Sequence, residues 1–226
     1  MYERASRAVD TFTAPKTFIR SQALLRTRKV VLSGAVFVAA SVLGVVALGG
    51  AASATKAGGN TGNGTFVLDA AAPIGARAKT GTYTLRCVVA AANGGTFRLE
   101  DPDGYVLGEV AITPAAGGTA LVNEHIRGVL TDGATDFVVG DGFDVTITAA
   151  AMVAGLERAK LAAAASIDGS QVPSLVLAYD VDATGGDIEA IAYESGDFVR
   201  EQLVFGAGLT PDATREHLRR LNITFG

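Results

Sequence analysis

The sequence predicts a mainly β protein with one short C-terminal helix, and three observations predict it. Val-rich segments are short and interrupted by glycine; Asp/Gly turn signatures stand between alternating apolar and polar runs; and only one stretch carries a full helix-start signal.

The elements follow in order. From Val30 to Thr55 an uncharged, Val-rich run is broken by Gly34, Gly44, Gly49 and Gly50, which suits strands joined by tight turns. Gly58 to Thr65 is expected to be a flexible boundary. Beyond it, Thr82 to Val89 alternates, Asn93-Gly94-Gly95 makes a turn, and Thr96 to Glu100 and Tyr105 to Ile112 flank Asp101-Pro102-Asp103-Gly104. Proline presets the φ that such a turn needs and glycine closes it, so a hairpin is expected. Asp136 to Val139 and Phe143 to Thr148, joined by Gly140-Asp141-Gly142, predict another. Leu156 to Ala165 has helical propensity, whereas Leu175 to Asp180 and Ile188 to Tyr193 read as strands around Gly185-Gly186. Thr210-Pro211-Asp212 then starts a helix: a capping hydroxyl, proline in the first turn and an acid at the positive end of the dipole. Asn222 ends it before a short strand, Ile223 to Phe225.

Composition bounds the function. The 226 residues suffice for one elaborate domain or two small ones, and 49% hydrophobic content with a net charge of −4 excludes a disordered chain. One cysteine, Cys87, permits no internal disulfide, and its alternation with Leu85 and Val89 predicts a buried apolar role. His125 and His217 are isolated, so acid–base enzymes are disfavoured. No Lys follows the glycines of residues 59–64, so they lack the charge of a phosphate-binding loop. Asp132, Asp136, Asp141, Asp144, Asp180 and Asp182 are chemically able to bind Ca²⁺, but Asp-Gly pairs are more often turn chemistry. The sequence therefore predicts no catalytic, cofactor or metal site.

Charge is unevenly placed. Residues 1–29 hold seven of the nineteen basic side chains and two of the twenty-three acidic ones, which leaves an acidic body that does not suit nucleic acid. A basic arm, residues 1–28, is expected to dock on another surface through Thr11, Phe12, Lys16, Phe18, Ile19, Arg20, Leu24, Arg26 and Arg28, with Leu25 as a further apolar anchor. A rival reading takes Val30 to Ala54 as a membrane span or signal segment. It makes the protein a membrane-anchored or exported bacterial surface protein with a β ligand-binding module. The glycines and the acidic residues Glu3 and Asp10 in front of the run favour buried strands and no membrane.

The C-terminal segment resembles the head decoration protein family of tailed bacteriophages, the lambda type. The features that carry the resemblance are Asp168-Gly169-Ser170, the strand Leu175-Val176-Leu177, the turn Asp180 to Ala183, the strand Ile188 to Tyr193, Ser195-Gly196-Asp197-Phe198, the helix beginning at Thr210-Pro211, and Leu221-Asn222-Ile223. Ala40 to Gly44 resembles an earlier hairpin of that fold. The resemblance implies a discontinuous decoration domain, residues 29–57 plus 150–226, interrupted by an all-β sandwich or barrel-like insertion, residues 58–149. It also favours extended chain within Leu156 to Ala165. It further implies a non-enzymatic virion protein on the outer capsid surface, a homotrimer whose arm binds the major capsid protein and stabilises the expanded head.

Overall fold

The computed structural model describes residues 17–226. Three strands open the chain: β1 (Ile19–Leu32), β2 (Val36–Phe37) and β3 (Val42–Val45). Eight follow: β4 (Leu48–Thr55), β5 (Thr65–Leu68), β6 (Gly81–Ala91), β7 (Gly94–Glu100), β8 (Val106–Ile112), β9 (Thr119–Asn123), β10 (Arg127–Thr131) and β11 (Gly142–Ala149). The chain then returns through β12 (Ala159–Leu161), β13 (Pro173–Leu177), β14 (Val181–Asp182), β15 (Ile188–Phe198), α1 (Pro211–Arg220) and β16 (Ile223–Phe225).

Apart from β2 and β14, which pair with each other in a separate two-stranded sheet, the strands of the first and last groups share one sheet, ordered β1-β15-β13-β3-β12, with β16 parallel to β15. Its far end curls back, since the Val31 amide donates to the Glu157 carbonyl at 2.9 Å and Val31 bridges Arg158. Around β3 and β13 both faces of this sheet are covered. Leu175 and Leu177 join a core with Val30, Leu32 and Leu43, while Val176 turns the other way to Val42, Phe198 and Leu218. Strands buried on both faces read as continuous apolar runs rather than alternating ones. This explains the apolar stretches Val30 to Leu32 at the end of β1 and Val42 to Val45 in β3; the rest of the run to Thr55 supplies β2, which pairs with β14, and the alternating β4. Among the described residues no helix is long and apolar enough to cross a membrane.

The eight middle strands form a five-stranded sheet, β4-β11-β6-β7-β8, facing a three-stranded one, β5-β10-β9, around their own core of Phe66, Tyr83, Leu85, Phe97, Ile126 and Val145. The chain crosses into this module after Ala47 and out of it at Ala150, whose amide donates to the Ala47 carbonyl at 3.0 Å. β4, placed by the sequence in the outer unit, pairs with β11 and so belongs to the middle sheet. The glycine run from Gly58 to Thr65 is accordingly no linker. A Cβ on Gly64 would lie 2.2 Å from the Phe137 ring, and one on Gly62 would lie 2.8 Å from the Asp136 carbonyl oxygen. These glycines are small because the loop lies flush against residues 132–142.

Two other local readings yield to tertiary pairing. Within Leu156 to Ala165 the chain is extended: β12 pairs with β3, and the Ala162 amide donates to the Val42 carbonyl at 3.0 Å. Alanine propensity is worth only tenths of a kcal/mol per residue, less than a ladder bond and burial together. Asp136 to Val139 is irregular rather than half of a hairpin. Phe137, 1% exposed, turns inward to meet Phe97 edge-on at 4.9 Å, and a bend from Val138 to Asp141 follows. The expected helix forms as its cap predicts: Thr210 Oγ1 accepts from the Ala213 amide at 3.2 Å, and Asn222 takes the left-handed conformation just beyond its end, with φ of 61°.

Candidate functional site

The site the sequence singles out is the basic N-terminal segment, and its described portion is β1. Thr11, Phe12 and Lys16 lie outside the described residues. Instead of a free arm, Ile19 to Arg28 forms the first two thirds of a long antiparallel strand against β15. The pairing is interrupted. Ser21 lies opposite Asp197 and Arg26 opposite Ser195, so five steps along β1 match two along β15. The surplus bulges outward at Leu24, whose φ is 71°, and the Ser195 hydroxyl secures the bulge by donating to the Leu24 carbonyl at 2.6 Å.

The bulge sorts the expected docking residues into two groups. Phe18 stacks on Phe198 and meets Tyr193 edge-on, each with ring centroids 6.1 Å apart, and Ile19 and Leu25 pack against the same core. These apolar anchors are spent on the protein's own body. Leu24 points away and is 80% exposed. Among the basic residues, Arg28 pairs with Glu157 at 2.6 Å, Lys29 with Glu189 at 2.6 Å, and Arg20 reaches Asp197 at 3.9 Å. The hydrogen bond and charge of Glu189 hold the Lys29 ammonium above the ordinary lysine range. Arg26 has no ion pair among the described residues. β1 is terminal in its sheet, so apart from the Val31 bridge its outer edge is unpaired among the described residues.

The acidic pairs behave as turn chemistry. Asp141, 3% exposed, accepts from the amides of Thr61 at 2.9 Å, Gly62 at 2.9 Å and Val138 at 3.1 Å. Burial pushes its carboxyl up, but those three N–H donors prevail and hold it below the ordinary carboxylate range. Asp136 accepts from the Asn93 amide, Asp180 from the Ala39 amide, Asp182 from the amide and hydroxyl of Thr184, and Asp144 pairs with Arg86. Asp132 differs: it is 4% exposed, and neither of its oxygens finds a donor among the described residues. No group of three or more His, Cys, Asp or Glu side chains among the described residues is placed to hold a metal ion.

The remaining candidates are placed as follows. His217 lies on the exposed face of α1, and the His125 ring meets Tyr83 edge-on at 6.0 Å. Cys87 is buried, and burial together with the Asp141 charge pushes its thiol up. A bulge after Cys87 turns Val89 out, so the expected shared face ends there and Val89 is 57% exposed.

Sequence reasoning also missed a feature of the module. Val67, Val129 and Leu121 are direct cross-strand neighbours on β5, β10 and β9, and they form an exposed apolar row on the outer face. Alternation within residues 119–131 is the signal that marks this row.

Comparison of the chain with protein-family models, with the curated proteins and with the solved structures finds no match.

Proposed function

We propose that this chain is a structural virion protein that decorates the outer surface of a tailed-phage capsid and stabilises the expanded head by bridging major capsid protein subunits, acting as a homotrimer. The observation that supports the reading is that the segments resembling decoration proteins gather around one sheet, with a free basic strand edge at its rim. Ser170 packs on β3 at Gly44, and the Asp168 carbonyl accepts from the amides of Ala47 and Leu48 just beyond that strand; β13 and β15 pair in the same sheet; and α1 leads into β16 beside β15.

The mechanism on this reading is mechanical. The outer edge of β1 offers backbone donors and acceptors to an extended capsid segment, and exposed side chains at the bulge set its register. Each contact is weak; many copies over a shell multiply them into a strong clamp. The middle module, carried on the neck at Ala47 and Ala150, forms sheets of its own and does not belong to the sheet of β1.

The test is electron microscopy of expanded heads mixed with the full chain and with a chain beginning at Thr17. A start at Lys29 is unsuitable, because it would strip most of β1 from β15 and uncover Phe198. Full-length protein is expected to fill the heads and slow their release of DNA on heating, and the shortened chain to fill them less. Bare heads at saturating full-length protein would refute the reading.

A further inference from the structure

β1 is attached to β15 in two unequal parts. From Thr27 to Leu32 the pairing runs unbroken, whereas beyond the bulge only Ile19 opposite Phe198 and Ser21 opposite Asp197 are in register. Between these parts Gln22 to Leu25 face the single residue Gly196, so three residues are surplus. Gln22, Ala23 and Leu24 are exposed, and Leu24 holds a left-handed φ of 71°, which a residue with a side chain adopts only at a cost. The end of the strand is nevertheless firmly seated. Phe18 stacks on Phe198 and meets Tyr193 edge-on, its carbonyl accepts from the Val199 amide at 2.8 Å, and Ile19 packs in the same core. A well-seated terminal segment joined to its body through a short strained hinge is the arrangement that invites exchange of that segment between identical chains.

We propose that Phe18 to Ser21 is an exchangeable arm: when copies of this chain assemble, it leaves its own β15 and takes the same place on β15 of a second copy. The seat at Tyr193 and Phe198 is already shaped to this segment, so a second copy is the partner that fits it with no side chain changed. Charge favours the same partner. Residues 1–29 hold seven of the nineteen basic side chains, so two acidic bodies repel on their own, while a basic arm laid across to a neighbour attracts it. The hinge has the reach. Gln22 to Leu24, once straightened, span about 10 Å, or about two strand spacings, and Leu24 leaves the left-handed region. The exchange gives up the bond from the Ser195 hydroxyl to the Leu24 carbonyl and keeps the aromatic seat and the strand pairing. Each copy then donates to one neighbour and receives from another, a head-to-tail contact that closes into a ring. That the copies number three rests on the capsid reading; the exchange does not.

The test is a disulfide that only exchange can form. Ser21→Cys and Asp197→Cys are made in separate full-length chains; the two positions face each other in register, at the separation a disulfide needs. A tethered arm competes at an effective concentration of about millimolar, and release of one left-handed residue lowers the protein concentration needed for exchange by about fivefold. The two chains are therefore refolded together at a few tenths of millimolar, about that threshold, and oxidised. A covalent pair of chains is expected on denaturing gels. Ser21→Cys refolded with Thr184→Cys, near the opposite end of β15, is expected to give none, and the wild-type chain, whose one cysteine is buried, serves as the blank. Deleting Gln22 to Leu24, which leaves too little chain to turn back, is expected to drive the protein from monomer to oligomer in light scattering. Leu24→Gly is expected to lower the cross-linked yield about fivefold, because glycine carries no strain at that φ. The proposal is overturned if the mixed chains give no covalent pair while a chain carrying both Ser21→Cys and Asp197→Cys closes within itself, if Thr184→Cys cross-links equally well, or if the double variant does not close at all, since the arm then does not lie on β15. The gels need no capsid, so heads left bare by the wild-type chain would remove the capsid reading and leave the exchange to be decided by the disulfide.

Discussion

Asp141→Asn probes how the middle module is held together. The wild-type carboxylate divides its work: one oxygen accepts from Thr61, the other from both Gly62 and Val138, all at 2.9 to 3.1 Å. A carboxamide keeps one oxygen and turns the other into an N–H donor. If its oxygen replaces the doubly used one, the Thr61 amide is left facing a donor; in the other orientation two amides are. Each buried unsatisfied donor costs about 1–3 kcal/mol, so the variant is expected to lose about 2–4 kcal/mol at neutral pH. The pH dependence has a definite sign. The folded-state pKa of Asp141 is depressed, so its contribution is complete above the ordinary carboxylate value of about 4 and is lost as pH falls through the folded value. Urea denaturation of both proteins from neutral to strongly acidic pH should therefore show a gap that is constant down to about pH 5 and then closes. A difference below about 0.5 kcal/mol at neutral pH, or a gap that persists unchanged in acid, would refute this account of the loop latch.

Three further outcomes are expected. Asp132→Asn should stabilise the protein by about 1–2 kcal/mol in urea denaturation, because it removes a buried charge whose oxygens have no donor among the described residues; a loss of stability would show that the carboxylate is satisfied. Leu24→Gly should raise Tm slightly, for about 0.5–1 kcal/mol, since it relieves a left-handed backbone with φ of 71° at a side chain that buries little; a lower Tm counts against strain at the bulge. Gly44→Ala should cost about 3 kcal/mol or more, because its Cβ would lie 2.1 Å from the Ser170 carbonyl oxygen, whereas Gly50→Ala, with nothing within 4 Å, should be tolerated; similar melting curves for the two would overturn the packing argument.

What was legible in the sequence was chemistry acting over a few residues. Asp101-Pro102-Asp103-Gly104 turns as its residue types require, with the Asp101 carboxylate accepting from the amides of Asp103 and Tyr105. The cap at Thr210 likewise starts α1 where its hydroxyl predicts. What misled were residues whose meaning depends on distant partners. A glycine packed under Phe137 has the same letter as one in a loose linker. An alanine chosen because it fits beside β3 has the same letter as one chosen for helix propensity. Phe18 and Leu25 looked like anchors for another surface because nothing near them in sequence announces that β15, some 170 residues later, supplies their pocket.

The basic segment shows the same division. Its charge excess was visible from the order of residues alone, since charge adds along a chain without regard to folding. Its conformation was not, because a strand exists only when another supplies the opposite half of its hydrogen bonds. Tertiary structure therefore decided three things that the sequence left open: that Ile19 to Arg28 pairs with β15, that five residues must fit where two are matched, and that the surplus bulges out at Leu24 under the Ser195 hydroxyl. The mainly β character, the turns and the helix were determined by short-range sterics and hydrogen bonding, whereas the site arises from a mismatch between two strands that meet only in the folded chain.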